Sequence, residues 1–238
     1  MATTRRFFVE NIGREALLTG EAYAHAKNVL RLRAGDEVVL FDGSGTEYSA
    51  VVAAAEKGAL RCTVTAGAPS QKECKTPVAL FCGALKGDKT ELVVQKATEL
   101  GVCEIGVFES RYCSAYMNEN KLVRLQKVAR EAAQQCLRAT VPAVRYFPSL
   151  GEALAAAQGY ENRLFACEFA EKSDADLRAL KGSCALVVGS EGGFAPEEFA
   201  QAQAAGFAGV TLGKRILRAE TACIAFTAAV MFCLGEWQ

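Results

Sequence analysis

The chain has 238 residues, 51% of them hydrophobic, and its 27 basic residues balance 27 acidic ones. This composition can supply a folded core, and it argues against a surface coated in positive charge for unspecific nucleic-acid binding. No apolar run is long and uninterrupted enough to cross a bilayer, and residues 1–10 lack the apolar segment of a signal peptide. We therefore expect a globular cytoplasmic protein without a membrane partner.

The ten cysteines occur singly from Cys62 to Cys233, and none forms a C-x-x-C pair. Only one histidine, His25, is present, so a zinc site would need thiolates from distant positions. We interpret the cysteines as reduced and mostly buried, and we expect no metal site.

The first part of the chain, residues 1–70, is predicted to be a small β-rich domain. Its predicted elements are strands at 5–9, 37–41, 46–53 and 61–65 and a short helix at 21–32. The segment DGSG, at 42–45, is typical of a hairpin turn. The polar segment 67–76 contains Gly and Pro and is interpreted as a linker.

From residue 77 onward, short apolar strands alternate with helices. Strands are predicted at 77–83, 104–108, 163–167, 184–188 and 209–212, and helices near 89–100, 119–137, 151–158, 174–180, 196–204 and 221–234. Such alternation predicts a mostly parallel sheet with helices on both faces, in the domain 77–238.

Two of these helices have further features. Asp88 and Glu91 have the spacing of an N-cap and its reciprocal partner, and Gly101 is expected to end the helix at 89–100. Around the helix at 119–137, residues 119–145 contain six Lys or Arg against two Glu. Such runs are usually solvated faces, so this one alone leaves RNA binding open.

A glycine-rich turn at 189–193 follows the buried strand at 184–188. It matches neither G-x-G-x-x-G, nor the phosphate loop, nor the nucleophile elbow. Glu191 would repel a phosphate, which favours a ligand with little negative charge. A simple tight turn that needs positive φ is the alternative interpretation.

A second loop, at 212–221, is long for a connection between a strand and a helix. It interleaves three cations with Ile216 and Leu217, so apolar side chains could line a pocket while backbone groups bind a heterocycle. Both loops follow strands and should meet at the carboxyl edge of the sheet, where open α/β sheets bind ligands.

The segments GSEGGF (189–194) and LGKRILRAET (212–221) resemble the cofactor-binding motifs of the ribosomal small-subunit RNA methyltransferase E family, within the SPOUT class. The segments at 84–102 and 131–142, the opening RRFF and the DGSG turn are also similar to that family, so the likeness covers nearly the whole chain. It implies a PUA-like or OB-like β-barrel that binds RNA at 1–70, a SPOUT methyltransferase domain with a C-terminal trefoil knot at 77–238, and a homodimer.

The resemblance also implies an activity: methylation, with S-adenosylmethionine, of N3 of a uridine in 16S ribosomal RNA of the small subunit, a step of ribosome biogenesis. The implied cofactor-binding residues are Gly189, Glu191, Gly192, Gly193, Leu212, Gly213, Ile216, Leu217 and Thr221. Arg218 is the candidate catalytic residue, because it could stabilise negative charge on the uracil as its proton leaves. The proton acceptor stays open between Glu191 and Glu220. The candidate RNA-binding residues are Arg5, Arg6, Lys27, Arg31, Arg33, Lys86 and Arg138.

The chain departs from the family pattern at Gln134, Leu137, Ala139 and Ser190. Gln134 stands where an acidic residue is usual, Leu137 where glycine is usual, and Ser190 where proline is common. Two alternative functions remain: a methyltransferase of the same fold that modifies another RNA nucleotide or ring atom, and a non-enzymatic RNA-binding protein. A hydrolase is disfavoured by the missing nucleophile elbow and the single histidine.

Overall fold

The computed structural model describes residues 5–167 and 173–237. The chain divides into two compact units. The first comprises Met1–Glu73 and Arg130–Val141, and the second comprises Cys74–Ala129 and Pro142–Gln238. The segment 130–141 thus belongs to the β-rich first unit, although it follows 56 residues of the second in the chain.

Five strands form the sheet of the first unit. They are β1 (Arg6–Phe8), β2 (Glu15–Leu18), β3 (Glu37–Phe41), β4 (Thr46–Glu56) and β5 (Ala59–Pro69). Their order is β1-β3-β4-β5-β2, in which β1 runs parallel to β3 and the other pairs are antiparallel. The strand β2 was not predicted; in its four residues Ala16 and Leu18 are buried while Glu15 and Leu17 face solvent.

The predicted helix at 21–32 is shorter and less regular than expected. The segment contains α1 (Gly20–Ala24) and then one π-helical turn at His25–Val29, in which the Leu30 N–H donates to the His25 carbonyl at 3.0 Å. Arg31 has a φ of 53°, which is a left-handed conformation that no α-helix can continue through. This backbone conformation ends the helical segment before residue 32.

Six parallel strands form the sheet of the second unit. They are β6 (Val78–Gly83), β7 (Glu104–Phe108), β8 (Ala143–Phe147), β9 (Asn162–Ala166), β10 (Cys184–Val188) and β11 (Ala208–Val210), in the order β11-β9-β10-β6-β7-β8. Every residue of the central strands β6 and β10 is buried, as expected where both faces of a sheet are covered. The predicted parallel sheet is confirmed, while its edge strand β8 was missed.

The connections leave a crevice beside β10. From β6 the chain continues to its neighbour β7, whereas from β10 it crosses β9 to reach β11 on the opposite side. Such a reversal separates the loops that follow the two central strands and leaves a crevice at their carboxyl ends.

The helices that accompany this sheet are α2 (Lys89–Leu100), α3 (Glu119–Gln135), α4 (Leu150–Ala156), α5 (Pro196–Ala204) and α6 (Ala219–Cys233). A helix at 174–180 was predicted wrongly, because only a 3-10 turn forms at Leu177–Ala179. Among the described helices, none combines the length and apolarity that crossing a membrane requires.

The start of α2 also differs from the prediction. The Asp88 side chain makes no capping hydrogen bond. Instead, the Thr90 hydroxyl accepts from the Leu85 N–H at 3.0 Å, and Glu91 pairs with Arg124 at 2.8 Å. The prediction that Gly101 ends the helix is confirmed by its φ of 101°.

The end of α3 contains one of the departures from the family pattern. Leu137 has a φ of 68°, the conformation that favours glycine at the position after a helix, and the next N–H, of Arg138, bonds back to the Ala133 carbonyl at 2.9 Å. The side chain of Leu137 therefore strains a turn for which glycine is the natural residue.

Candidate functional site

A cavity of about 520 Å³ lies at the carboxyl ends of β9, β10 and β11. This volume suits a small organic ligand. Its wall consists of Lys89, Ala166, Cys167, Val188, Gly189, Ser190, Glu191, Gly193, Phe194, Val210, Thr211, Leu212, Gly213, Lys214, Arg215, Ile216, Leu217, Arg218, Ala219, Glu220 and Ala222. The two loops singled out in the sequence therefore line one common cavity.

The glycine-rich turn is folded tightly against its neighbours. The Gly193 N–H donates to the Ser190 carbonyl at 3.0 Å, and Gly193 has a φ of 66°. A methyl group at Gly83, the last residue of β6, would come within 2.5 Å of the Ser190 nitrogen. A methyl group at Gly192 would come within 2.6 Å of the Tyr112 carbonyl oxygen. These glycines are therefore required by the close approach of three backbone segments and by the turn itself.

Glu191 fastens this turn to the start of α2. Its Oε1 accepts a hydrogen bond from the Lys86 N–H at 3.0 Å and one from Lys89 Nζ at 3.2 Å. Burial opposes ionisation of this carboxyl, but the bonds from Lys86 and Lys89 outweigh it and hold its pKa below the usual range. An anchored carboxylate with a lowered pKa is a weak proton acceptor.

Two polar atoms in the cavity wall are left without a hydrogen bond. Among the described residues, Glu220 Oε2 and Ser190 Oγ are buried and have no hydrogen-bond partner. In the described part of the chain, Glu220 Oε2 faces the cation Lys89 Nζ at 3.8 Å, which is too far for a hydrogen bond. Unpaired buried polar atoms cost about 1–3 kcal/mol each, so a ligand with hydrogen-bond donors and a positive centre would fit them.

The loop 211–218 covers the cavity with side chains that reach into solvent. Gly213 has a φ of 96°, and the next three residues are exposed, with Ile216 at 88% of its full exposure. At the end of the loop the Arg218 carbonyl accepts from the Ala222 N–H at 2.8 Å and thus starts α6. The Arg218 side chain is exposed and contributes to the cavity wall. This position sets a cation beside the cavity and open to a second ligand.

Phe194 provides a rigid apolar part of the wall. Its ring is buried, with its centroid 4.2 Å from that of Phe165 on β9 and 6.3 Å from that of Phe108 on β7. Because three rings from different segments pack together, the wall is fixed before any ligand binds.

All the predicted cofactor residues line the cavity except Gly192 and Thr221. Gly192 packs against the backbone of Tyr112, and Thr221 is exposed on α6. Lys89 and Phe194 also line the cavity and were not predicted to belong to the site. Lys89 lies 102 positions before Glu191, so no local pattern could have linked them, whereas Phe194 ends the GSEGGF motif and could have been included.

Two of the predicted RNA-binding residues need correction. Arg6 is only 2% exposed, because its guanidinium donates to Glu47 Oε1 and to the Arg138 carbonyl, both at 2.8 Å, and lies over the Phe41 ring. Arg138 is 5% exposed and pairs with Glu73 at 3.0 Å. Both arginines hold the first unit together and are not accessible to RNA.

The other predicted RNA-binding residues, Arg5, Lys27, Arg31, Arg33 and Lys86, are exposed. Arg5 pairs with Asp36 at 2.9 Å, and Lys27 contacts the Tyr23 hydroxyl at 2.7 Å. Within residues 5–167 and 173–237, no three His, Cys, Asp or Glu side chains converge as a metal site, and all ten cysteines are free.

Family models match both parts of the chain. An RNA methyltransferase PUA domain matches residues 18–65, and an RNA methyltransferase domain matches residues 72–231. The ribosomal RNA small subunit methyltransferase E of Mycobacterium bovis is 32% identical over 247 aligned positions, which cover 98% of this chain and 93% of that protein.

Solved structures are similar over nearly the whole length. A ribosomal RNA small subunit methyltransferase E from Neisseria gonorrhoeae, bound to S-adenosylmethionine, is 30% identical with a TM-score of 0.88, and the match covers 99% of this chain and all of that one. A Legionella pneumophila protein in complex with the same cofactor is 26% identical with a TM-score of 0.86, covering 97% and 98%. These comparisons confirm the predicted fold class, a SPOUT-type α/β domain after a PUA-like β domain. The chain belongs to the ribosomal RNA small subunit methyltransferase E family.

Proposed function

We propose that the protein transfers a methyl group from S-adenosylmethionine to N3 of a uridine in 16S ribosomal RNA of the small subunit. The main support is the cavity, in which the turn at 189–193 and the loop at 212–221 form one wall around a volume of about 520 Å³. The relatives solved with S-adenosylmethionine support the identity of the ligand. A protein that acts on small-subunit RNA would work in the cytoplasm, which is part of this proposal.

The residues of the cavity fit this cofactor. S-adenosylmethionine supplies a methyl group on a sulfonium centre, so the protein mainly has to bind and orient. The backbone N–H groups of the glycine-rich turn can donate hydrogen bonds to polar groups of the ligand, and Phe194 provides an apolar surface. The Glu220 oxygen that lacks a hydrogen bond offers a negative charge and a hydrogen-bond acceptor to a cationic ligand.

The transfer requires loss of the N3 proton of the uracil. Arg218 is exposed at the cavity wall, where its charge would stabilise the uracil anion that forms. Glu220 is the better proton acceptor of the two candidates. Its Oε2 has no hydrogen bond, whereas Glu191 is held by Lys86 and Lys89 with a lowered pKa.

Binding of the RNA would involve both parts of the chain. We assign the grip on RNA to the PUA-like domain, residues 1–70, through the exposed Arg5, Lys27, Arg31 and Arg33, and to Lys86 of the methyltransferase domain, residues 77–238. A uridine N3 is normally engaged in base pairing, so the target must be unpaired or flipped out.

We also propose a homodimer and a trefoil knot in the C-terminal part. The support for a homodimer is the surface of α6 and the residues after it, where Phe232 and Trp237 are large exposed apolar side chains. Sedimentation of the purified protein tests the dimer, and a monomer at micromolar concentration contradicts it.

The experiment for the activity is methyl incorporation from labelled S-adenosylmethionine into purified small subunits and into naked 16S ribosomal RNA. Mass spectrometry of nuclease fragments then locates the methyl group. A methyl group on another nucleotide or ring atom contradicts the uridine-N3 assignment, and no incorporation together with no calorimetric binding of the cofactor contradicts the enzyme as a whole.

A further inference from the structure

The segment that joins β7 to α3, residues 109–118, presents two aromatic rings to solvent. We call it the tyrosine loop. Tyr112 is 49% exposed and Tyr116 is 68% exposed. Large aromatic side chains are usually buried, so two exposed rings within five residues call for a partner.

The backbone of the tyrosine loop is fixed although its rings are exposed. The Arg111 N–H donates to Glu198 Oε1 at 2.9 Å, and the Cys113 thiol donates to the Ala84 carbonyl at 3.1 Å. Glu109 Oε1 accepts from the Met117 N–H at 3.1 Å and from the Tyr146 hydroxyl at 2.9 Å. A loop anchored along its length loses little backbone entropy when its exposed rings bind a partner.

The tyrosine loop also borders the proposed cofactor cavity. The backbone and Cβ of Tyr112 pack so closely on Gly192 that no side chain fits there. Gly192 lies between Glu191 and Gly193, which both line the cavity. On its other side the loop is bonded to Ala84, next to Gly83, which abuts Ser190. A substrate that reaches the cavity from this side passes the tyrosine loop.

The charges around the loop favour stacking over binding of phosphate. The Arg111 guanidinium pairs with Glu197 at 3.2 Å and its backbone N–H donates to Glu198, so a phosphate here would meet two carboxylates. Stacking on the face of a nucleobase needs no net charge. Two separate rings among polar side chains are also far from the roughly 800 Å² that each partner of a stable protein interface buries.

We propose that the tyrosine loop is a stacking surface for unpaired bases of the RNA next to the methylated nucleotide. This inference rests on the proposed function, and it names the side of the cavity from which single-stranded RNA enters. Recognition of unpaired RNA by aromatic rings is common, since every base offers a π face.

The test compares Tyr112→Ala and Tyr116→Ala with Tyr112→Phe and Tyr116→Phe, using purified small subunits and naked 16S ribosomal RNA as probes. The alanine variants keep the Cβ that packs on Gly192, and neither tyrosine lines the cavity, so affinity for S-adenosylmethionine is expected to stay unchanged. The KM for RNA is expected to rise about 5- to 150-fold in the alanine variants, the range that corresponds to loss of one stacked base. The phenylalanine variants keep the ring and behave like the wild type.

The dependence of RNA affinity on salt separates stacking from charge. The alanine variants are expected to keep the wild-type slope of log affinity against log salt concentration, whereas Lys86→Ala lowers that slope by about one unit. Alanine variants that bind and methylate RNA like the wild type overturn the inference, as does a change in their oligomeric state, which would assign the rings to a subunit interface. If the wild type methylates no RNA, the proposed function fails, and the binding of 16S ribosomal RNA by the same variants still decides the role of the tyrosines.

Discussion

Replacement of Glu191 by glutamine tests whether this side chain ties the glycine-rich turn to α2. The carboxylate, 25% exposed, accepts from the Lys86 N–H at 3.0 Å and from Lys89 Nζ at 3.2 Å. A hydrogen bond to a charged acceptor contributes about 1 kcal/mol more than a neutral one. With two such bonds and some screening by solvent, Glu191→Gln is expected to lower the free energy of unfolding by about 1 kcal/mol at neutral pH.

The same substitution predicts a dependence on pH. The folded-state pKa of Glu191 lies below its ordinary value of 4.5, so its contribution is present above that value and is lost as the pH falls through the folded pKa. Denaturant unfolding of wild type and Glu191→Gln should therefore give a difference near pH 7 that shrinks towards about pH 3. A difference that is absent at neutral pH, or that stays constant down to about pH 3, refutes this reasoning.

A control variant, a double-mutant cycle and a binding measurement test the same role of Glu191. Glu197 also pairs with a cation, Arg111 at 3.2 Å, but both side chains are largely exposed, so Glu197→Gln is expected to change stability little at any pH. In a double-mutant cycle, Lys89→Met and Glu191→Gln should be non-additive, because each removes the same ion pair. Calorimetry with S-adenosylmethionine should show weaker binding in Glu191→Gln, since the loosened turn lines the cavity.

Three further substitutions test other parts of the structure. Leu137→Gly is expected to raise the free energy of unfolding by about 1 kcal/mol, because it relieves a left-handed residue after α3; a less stable variant in denaturant unfolding contradicts this. Arg6→Ala is expected to cost about 1–3 kcal/mol in the same assay, since it leaves the buried Arg138 carbonyl without this donor, while Arg5→Ala at an exposed pair changes stability little; equal effects contradict the structural role of Arg6. Arg218→Ala is expected to bind S-adenosylmethionine like the wild type and to lower kcat for RNA methylation about 100- to 1000-fold, and full activity refutes a catalytic role.

The parallel sheet could be predicted because its strands have strong local signals. The strands β7 and β10 were predicted at their observed bounds, since each is a short buried run with sharp ends. In contrast, β8 is an edge strand in which Ala143 and Arg145 are exposed, so its apolar signal is diluted. A helix was predicted around the 3-10 turn at Leu177–Ala179, because composition alone does not show whether packing contacts stabilise a longer helix.

The site was predictable where it depends on neighbouring residues and not where it depends on distant ones. The two loops are continuous segments with recognisable compositions. The turn at 189–193 is rich in glycine, and the loop at 212–221 interleaves cations with apolar residues. The partners of Glu191 lie more than 100 positions away, and the burial of Arg6 depends on the Arg138 carbonyl, 132 positions away. The two arginines were assigned to RNA because a basic side chain in a sequence gives no sign of a carboxylate or carbonyl that the fold will bring to it.

The turn at 189–193 lies between the proposed cofactor site and the proposed RNA-binding loop. Its residues Ser190 and Glu191 line the cavity and connect to α2, while Gly192, between cavity-lining neighbours, packs against the tyrosine loop. Loss of the Glu191 hydrogen bonds loosens the wall of the cavity and is therefore expected to weaken cofactor binding. Loss of the Tyr112 ring leaves that wall intact and is expected to weaken RNA binding. Because a single turn separates these contacts, a variant on each side distinguishes the binding of the methyl donor from the binding of the nucleic acid.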